Sequence, residues 1–195
     1  MLGEKIDPVE AAGASIEKSA GAVESVGVRG HYDVVCVGAD GQVKWTEKIE
    51  NIVVNVGKAD ILDKYFSGSG YTATWYLGLV TGSVASTAYN SADTMASHGG
   101  WTENVAYSNA TRPQPSWGSA TASGGGAGSA GTGSKATSAT AFNINGTATI
   151  SGAFMTSNNT KSGTTGILYS AGNFTGGDRA VISGDTLNVT YTATV

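Results

Sequence analysis

The side chains able to do chemistry are few, and their spacing argues against catalysis. The histidines are His31 and His98, and the one cysteine is Cys36. A serine triad needs a nucleophile on a sharp turn, a histidine and an acid. The Gly-x-Ser-x-Gly look-alikes fall in a Gly/Ser tract, with no strand-to-helix setting for an elbow. Cys36 lies in the apolar run Val34-Val35-Cys36-Val37, which predicts a buried thiol rather than a nucleophile. Zinc would need several His and Cys ligands, and three widely spaced ones do not supply a site. The carboxylate pairs Glu47/Glu50 and Asp60/Asp63 have glycosidase-like proximity in sequence. Each pair stands among lysines, which predicts solvated surface charge. Asp178 and Asp185 sit in Gly-Asp turns flanking Val181. Turn aspartates commonly cap backbone donors; a calcium site is the alternative reading. No catalytic residue, metal ligand or cofactor is expected, and the chain reads as a non-enzyme.

Aromatic residues offer recognition chemistry instead. Trp45, Trp75, Trp101 and Trp117, with eight tyrosines, have the large apolar faces a sugar-binding platform uses. Most fall on inward-alternating strand positions, which predicts core packing. Trp117 is the exception. Arg112-Pro113-Gln114-Pro115-Ser116-Trp117 is a polyproline-like segment ending in a large aromatic. Arg112, Pro113, Pro115 and Trp117 are therefore expected at an intersubunit contact, joined by Pro8, Val9 and Ile16 near the N-terminus.

Charge is distributed unevenly along the 195 residues. Of 26 Asp, Glu, Lys and Arg, 18 lie in residues 1–64, leaving 26 − 18 = 8 for the rest. Soluble surfaces are ordinarily about a quarter to a third charged. A neutral, hydroxyl-rich chain of this kind suits contact with other protein. The net charge of −4, with no Lys/Arg cluster, argues against nucleic acid as a partner. No apolar run approaches the roughly 18 residues of a membrane span, so no membrane partner is expected. The start lacks a basic region followed by an apolar stretch, which predicts synthesis and folding in a cytoplasm. A single cysteine excludes an internal disulfide framework.

These residues must be positioned mainly by strands. Residues 1–30 read as an arm, part helical and part extended, with Asp7 as a cap and Pro8 at the first helical position. Its apolar residues Ile6, Val9, Ile16, Val23 and Val26 are too sparse for a strong stripe. Residues 31–195 form the second unit. The run 32–37, the turn dipeptide Asp40-Gly41 and the alternation over 42–49 predict a hairpin. A short helix is expected over 57–66. It presents Ile61, Leu62, Tyr65 and Phe66 on one face and caps an open end of a sandwich. Further strands are expected at 71–80, 101–107, 139–144, 147–155, 166–170, 179–182 and 187–195, with 87–98 a polar connection. The last strand alternates Leu187, Val189, Tyr191, Ala193 and Val195 against Asn188, Thr190, Thr192 and Thr194. Eight to ten short strands with almost no helical periodicity predict an all-β sandwich, with a jelly roll as the leading topology.

Residues 118–141 are low in complexity: 23 of the 24 are Gly, Ser, Ala or Thr, Lys135 being the exception. Such a tract cannot build a core. It reads either as a flexible surface loop or as an extended arm over a neighbouring subunit. Its Gly126-Ala-Gly128-Ser-Ala-Gly131 matches the dinucleotide pattern in form only, since no helix is expected after it.

Several phrases carry a resemblance. They are Gly41-Gln-Val-Lys-Trp45-Thr-Glu, Ile61-Leu-Asp63, Tyr71-Thr-Ala-Thr-Trp75-Tyr-Leu-Gly-Leu79, Ile150-Ser-Gly-Ala-Phe154, Leu168-Tyr-Ser-Ala-Gly-Asn-Phe174 and Gly184-Asp-Thr-Leu-Asn-Val-Thr-Tyr191. Together they resemble small virion structural proteins of tailed bacteriophages, and most of all jelly-roll capsid decoration (cement) proteins. The resemblance spans roughly residues 30–195 and brings no catalytic residue with it. It implies a homo-oligomer, dimer or trimer, on the outer surface of the virion capsid. The major capsid protein would be its partner. It also implies that the chain bridges capsid subunits, with residues 1–30 and 112–141 making the contacts. The alternatives are a receptor-binding or fibre module for a host glycan, and a tail or adaptor component. A cement protein should bury much of its surface on capsid; a receptor module should leave a concave aromatic groove open.

Overall fold

The computed structural model describes residues 27–66, 74–126 and 129–195. Residues 1–26, and with them Pro8, Val9 and Ile16, lie outside the described residues. So do Tyr71, Thr72 and Ala73, the expected start of one strand.

The first hairpin forms as its alternation requires. Strand β1 (Arg29–Val37) pairs antiparallel with β2 (Val43–Glu50) across the Asp40-Gly41 turn. Gly41 N donates to Gly38 O at 2.9 Å, and Asp40 Oδ1 accepts from Gln42 N at 3.0 Å. Strand β3 (Ile52–Val53) and helix α1 (Asn55–Phe66) follow, then β4 (Tyr76–Thr81) and β5 (Glu103–Asn104). After them come β6 (Thr121–Gly126), β7 (Ser129–Ala136) and β8 (Thr140–Asn143). The remaining strands are β9 (Ala148–Thr156), β10 (Leu168–Asn173), β11 (Arg179–Val181) and β12 (Thr186–Thr194).

The strands make two antiparallel sheets packed as a sandwich, as the alternation predicted. One runs β2-β1-β12-β7-β6, with β8 beside β7 on the same edge of β12. The other runs β3-β10-β9-β4-β5, with β11 on β9. The chain therefore visits the first sheet with β1–β2, β6–β8 and β12, and the second with β3–β5 and β9–β11. Asn145 and Gly146, between β8 and β9, lie where the chain crosses from the first sheet to the second.

Period-2 alternation places the main core. In β1, Tyr32, Val34 and Cys36 face inward. Their direct partners in β12 are Tyr191, Val189 and Leu187, and all six are fully buried. They meet Leu77, Leu79, Ile150, Ala153 and Met155 from the opposite sheet. Strand β9 is buried on both faces, because the 82–101 connection covers the second sheet from outside. Tyr89, Met95 and Trp101 form a smaller core there with Phe154, Leu168 and Val80. The sequence presents 87–98 as a polar connection and 101–107 as a strand; Tyr89 and Met95 follow no strand or helix period, and the strand forms only over Glu103–Asn104.

The low-complexity tract is neither a loop nor a free arm over its described length. It folds into the β6–β7 hairpin, with Thr121 opposite Ser134 and Ser123 opposite Thr132. Strand β7 joins the chain's own C-terminal strand, Ala136 facing Thr192 and Lys135 facing Ala193. Small residues give no hydrophobic pattern, but they do not hinder the backbone ladder that β12 templates.

Helix α1 forms close to its predicted place but not with its predicted burial. Its first turn is docked: Val54 N donates to Tyr169 O at 3.1 Å just ahead of it, and Gly57 lies against the Tyr169 backbone. A Cβ at Gly57 would stand 2.7 Å from Tyr169 O, so only glycine allows this approach. Docking through the first turn carries the second half past the sandwich. Leu62, Tyr65 and Phe66 are 56%, 80% and 76% exposed, so the face expected to cap the core is largely uncovered.

Candidate functional site

A cleft of about 530 Å³ lies between α1 and one end of the sandwich. Helix α1 contributes Asp60, Ile61, Lys64 and Tyr65. Trp75 enters just before β4, Met155 from β9 and Tyr169 from β10. The first sheet supplies Lys135 from β7 and Ala193 from β12, and Trp117 stands ahead of β6. Trp117 is fixed by a bridge to Thr137 and by an edge-on contact with Tyr191, with centroids 6.2 Å apart. Tyr191 meets Tyr169 edge-on at 6.0 Å, and Tyr169 meets Trp75 at 5.3 Å. Ring contacts thus run from Trp117 through the buried Tyr191 to Tyr169 and Trp75, and of these Trp117, Tyr169 and Trp75 line the cleft. The rim carries Lys135, whose Nζ donates to Gly118 O at 2.8 Å, and an Asp60–Lys64 ion pair at 3.9 Å.

This arrangement can bind an apolar or mixed ligand. It assembles no nucleophile–base pair among its lining residues. Of the four tryptophans, Trp101 is buried in the smaller core and Trp45 is half-buried against Phe174 at 5.7 Å. Trp75 and Trp117 are the half-buried pair that lines the cleft. Sequence reading singled out Trp117 but assigned Trp75 to the core, because strand alternation does not show where a sandwich stays open.

Of the other expected contact residues, Pro8, Val9 and Ile16 lie outside the described residues, and Arg112, Pro113 and Pro115 are held by the chain's own fold. Arg112 is 1% exposed and forms a two-pronged ion pair with Glu103. Pro113 O accepts from Leu77 N at 3.0 Å, and Pro115 is buried. The 112–117 segment is thus stitched to the second sheet at Leu77 and, through Trp117, to Thr137 just after β7. Beside the Arg112–Glu103 pair lies a second cavity of about 270 Å³, lined by His98, Trp101 and Phe154 among others. His98 stacks on Trp101 with centroids 4.0 Å apart, and its Nδ1 is 3.0 Å from Trp101 O.

The carboxylates are committed to structure. Glu47 differs from its expected place on the surface: it is buried, paired with the Arg179 guanidinium, and accepts from Gly176 N at 3.0 Å. Asp178 accepts from Ser83 N at 2.5 Å. Asp185 accepts from Lys44 Nζ at 2.7 Å and from Ile182 N at 3.0 Å. Burial alone would raise the Asp185 pKa, but the Lys44 ammonium and the Ile182 N–H hold it below the ordinary carboxylate value. Among the described residues, no three His, Cys, Asp or Glu side chains group to hold a metal ion. Comparison with protein-family models, curated proteins and solved structures found no match to this chain.

Proposed function

We propose that this chain is a non-enzymatic structural virion protein that decorates the outside of a tailed-phage head and bridges neighbouring capsid subunits. The observation that supports this most directly is the free edge of the first sheet. Among the described residues strand β6 pairs only with β7, and it reads Thr-Ala-Ser-Gly-Gly-Gly, with neither charge nor proline. Exposed edges are normally guarded by lysine, proline or cover, because unpaired N–H and C=O groups recruit another strand. An unguarded, small-residue edge fits a strand that a neighbouring subunit covers. The resemblance to cement proteins and the charge-poor composition of residues 65–195 support the same reading. Binding only to the assembled lattice stabilises the shell by mass action.

Co-sedimentation with empty capsids tests the proposal. Saturable binding at a fixed ratio to capsid subunits is expected, weakened by Ala122→Lys or Ser123→Lys on the edge strand. Absence of binding at any concentration ends it.

The aromatic cleft favours a second reading, a receptor-binding module for a host glycan. Its test is adsorption of the protein to host-cell oligosaccharides, lost in Trp117→Ala.

A further inference from the structure

We infer that Asn145 is a site of spontaneous modification, at which the backbone nitrogen of Gly146 displaces the side-chain amide and turns asparagine into aspartate and isoaspartate.

This chemistry asks for a carboxamide that nothing else holds, a following N–H not spent in a hydrogen bond, and room for the two to meet. Glycine in the following position gives the most room, because it has no Cβ and a permissive backbone. Asn145-Gly146 is the one Asn-Gly dipeptide of the chain.

Its setting meets the other two needs. Asn145 is exposed, and among the described residues no hydrogen bond reaches its carboxamide or leaves the Gly146 N–H. Apart from chain neighbours, a Cβ at Gly146 would have only the Ala106 methyl near it, at 3.9 Å. The chain is pinned just ahead of the dipeptide. Ile144 N donates to Asp185 O at 2.8 Å, Ile144 O accepts from Gly184 N at 3.0 Å, and Asn145 N donates to Ala106 O at 3.2 Å. Strand pairing resumes only at Ala148, opposite Val181. The Asn145–Gly146 peptide lies between these anchors.

Other asparagines are held. The Oδ1 atoms of Asn90, Asn104 and Asn158 accept from the backbone N–H two residues on, at 2.9, 3.0 and 2.7 Å. Such turns fix the side chain in one orientation. Asn109 accepts from Asn143 N and donates to Ala141 O, and Asn173 accepts from Tyr89 Oη and donates to Val84 O. Glycine follows none of them.

The step needs no co-reactant except water. Gly146 N gives up its proton and attacks Asn145 Cγ. The N–Cγ bond forms, the Cγ–Nδ2 bond breaks, and the amide nitrogen leaves with that proton as ammonia. Water then opens the cyclic imide at either carbonyl, giving aspartate, or isoaspartate with an extra methylene in the main chain. Either product adds one negative charge, −4 − 1 = −5 for the chain at pH 7. The inference does not depend on the capsid reading, since the reaction occurs within the isolated chain.

Peptide mapping by mass spectrometry of the full native chain, aged at mildly alkaline pH, tests it. Conversion at Asn145 should exceed that at every other asparagine of the described residues by about tenfold or more, because only there does a glycine nitrogen attack. Gly146→Ala should slow conversion at Asn145 by about tenfold, with near-ultraviolet circular dichroism unchanged, since the added methyl has room. Should that variant lose its fold, Asn145→Gln leaves the backbone alone and should abolish the acidic form that ion exchange resolves in the aged native protein. Conversion in denaturant but not in the native chain would overturn the inference, because the fold would then hold the dipeptide where attack is prevented. Conversion led by another asparagine, or equally fast in Gly146→Ala, would overturn it as well.

Discussion

Arg112 and Glu103 face each other in a two-pronged ion pair, Nε to Oε1 at 2.9 Å and Nη2 to Oε2 at 2.8 Å, with side chains only 1% and 7% exposed. The guanidinium also donates to Asn158 O at 2.9 Å and Gly163 O at 3.1 Å, and Glu103 Oε2 accepts from Ser162 N at 2.6 Å. One pair thereby ties β5 and the 112–117 segment to the loop after β9. Breaking such a pair leaves a buried charge without compensation. Arg112→Ala should cost about 3–5 kcal/mol of stability in urea unfolding. The double variant Arg112→Met with Glu103→Leu should be more stable than Arg112→Ala, since neither charge remains buried. A double variant no more stable than the single one would show that the loop hydrogen bonds, not the charges, dominate.

The Lys44–Asp185 contact sets both pH limits of one contribution. The Asp185 pKa is lowered in the folded state, so its stabilisation is complete above the unfolded value of about 4 and is lost as pH falls through the folded value. Lys44 is raised, chiefly by the Asp185 hydrogen bond. Its share is complete below the unfolded value of about 10.4 and is lost as pH rises through the folded value. The stability gap between the native chain and Asp185→Asn should therefore be widest near neutrality and close toward low pH. Chemical unfolding at pH 7 and pH 3 measures it, and a gap unchanged at pH 3 would contradict the assignment.

Cys36 should be inert while the chain is folded. Its thiol is fully buried, and burial, with the nearby Asp185 carboxylate, pushes its pKa up to about 11. At pH 8 about one thiol in a thousand would be ionised even if it were reachable. Labelling by a disulfide-exchange reagent should be negligible in buffer and stoichiometric in denaturant. Rapid labelling of the native protein would show that the β1–β2 hairpin opens readily.

Gly152→Ala should be among the most damaging single changes in the sandwich. A Cβ there would collide with Gly172 O on the paired strand β10. The obstacle is backbone, which cannot swing aside as a side-chain end does. Loss of about 3 kcal/mol or more is expected, at the upper end of overpacking costs. A thermal melt within a degree or two of the native protein would contradict this.

The strands with large alternating residues were legible from the chain alone. In β12, Leu187, Val189 and Tyr191 alternate with polar residues, and in β1 Tyr32, Val34 and Cys36 do the same. That period fixes which side chains point inward. Asp40-Gly41 likewise marked its turn, because few other dipeptides suit that geometry.

The tertiary structure alone decided what each strand lies beside. Thr, Ser, Ala and Gly in β6 and β7 carry no burial signal, so the pairing of β7 with β12, and of β6 with β7, follows from the ladder that β12 offers. Helix α1 shows the same limit. Its 61–66 arc has a clear apolar direction, but contact through Gly57 left most of that arc outside the core. Trp75 and Trp117 are 42 positions apart. They line one cleft, linked by ring contacts through Tyr169 and the buried Tyr191 from opposite sheets. Local sequence encodes the side of a strand or helix that prefers burial. Whether that side is covered, or opens onto a cleft, depends on distant residues that no local pattern records.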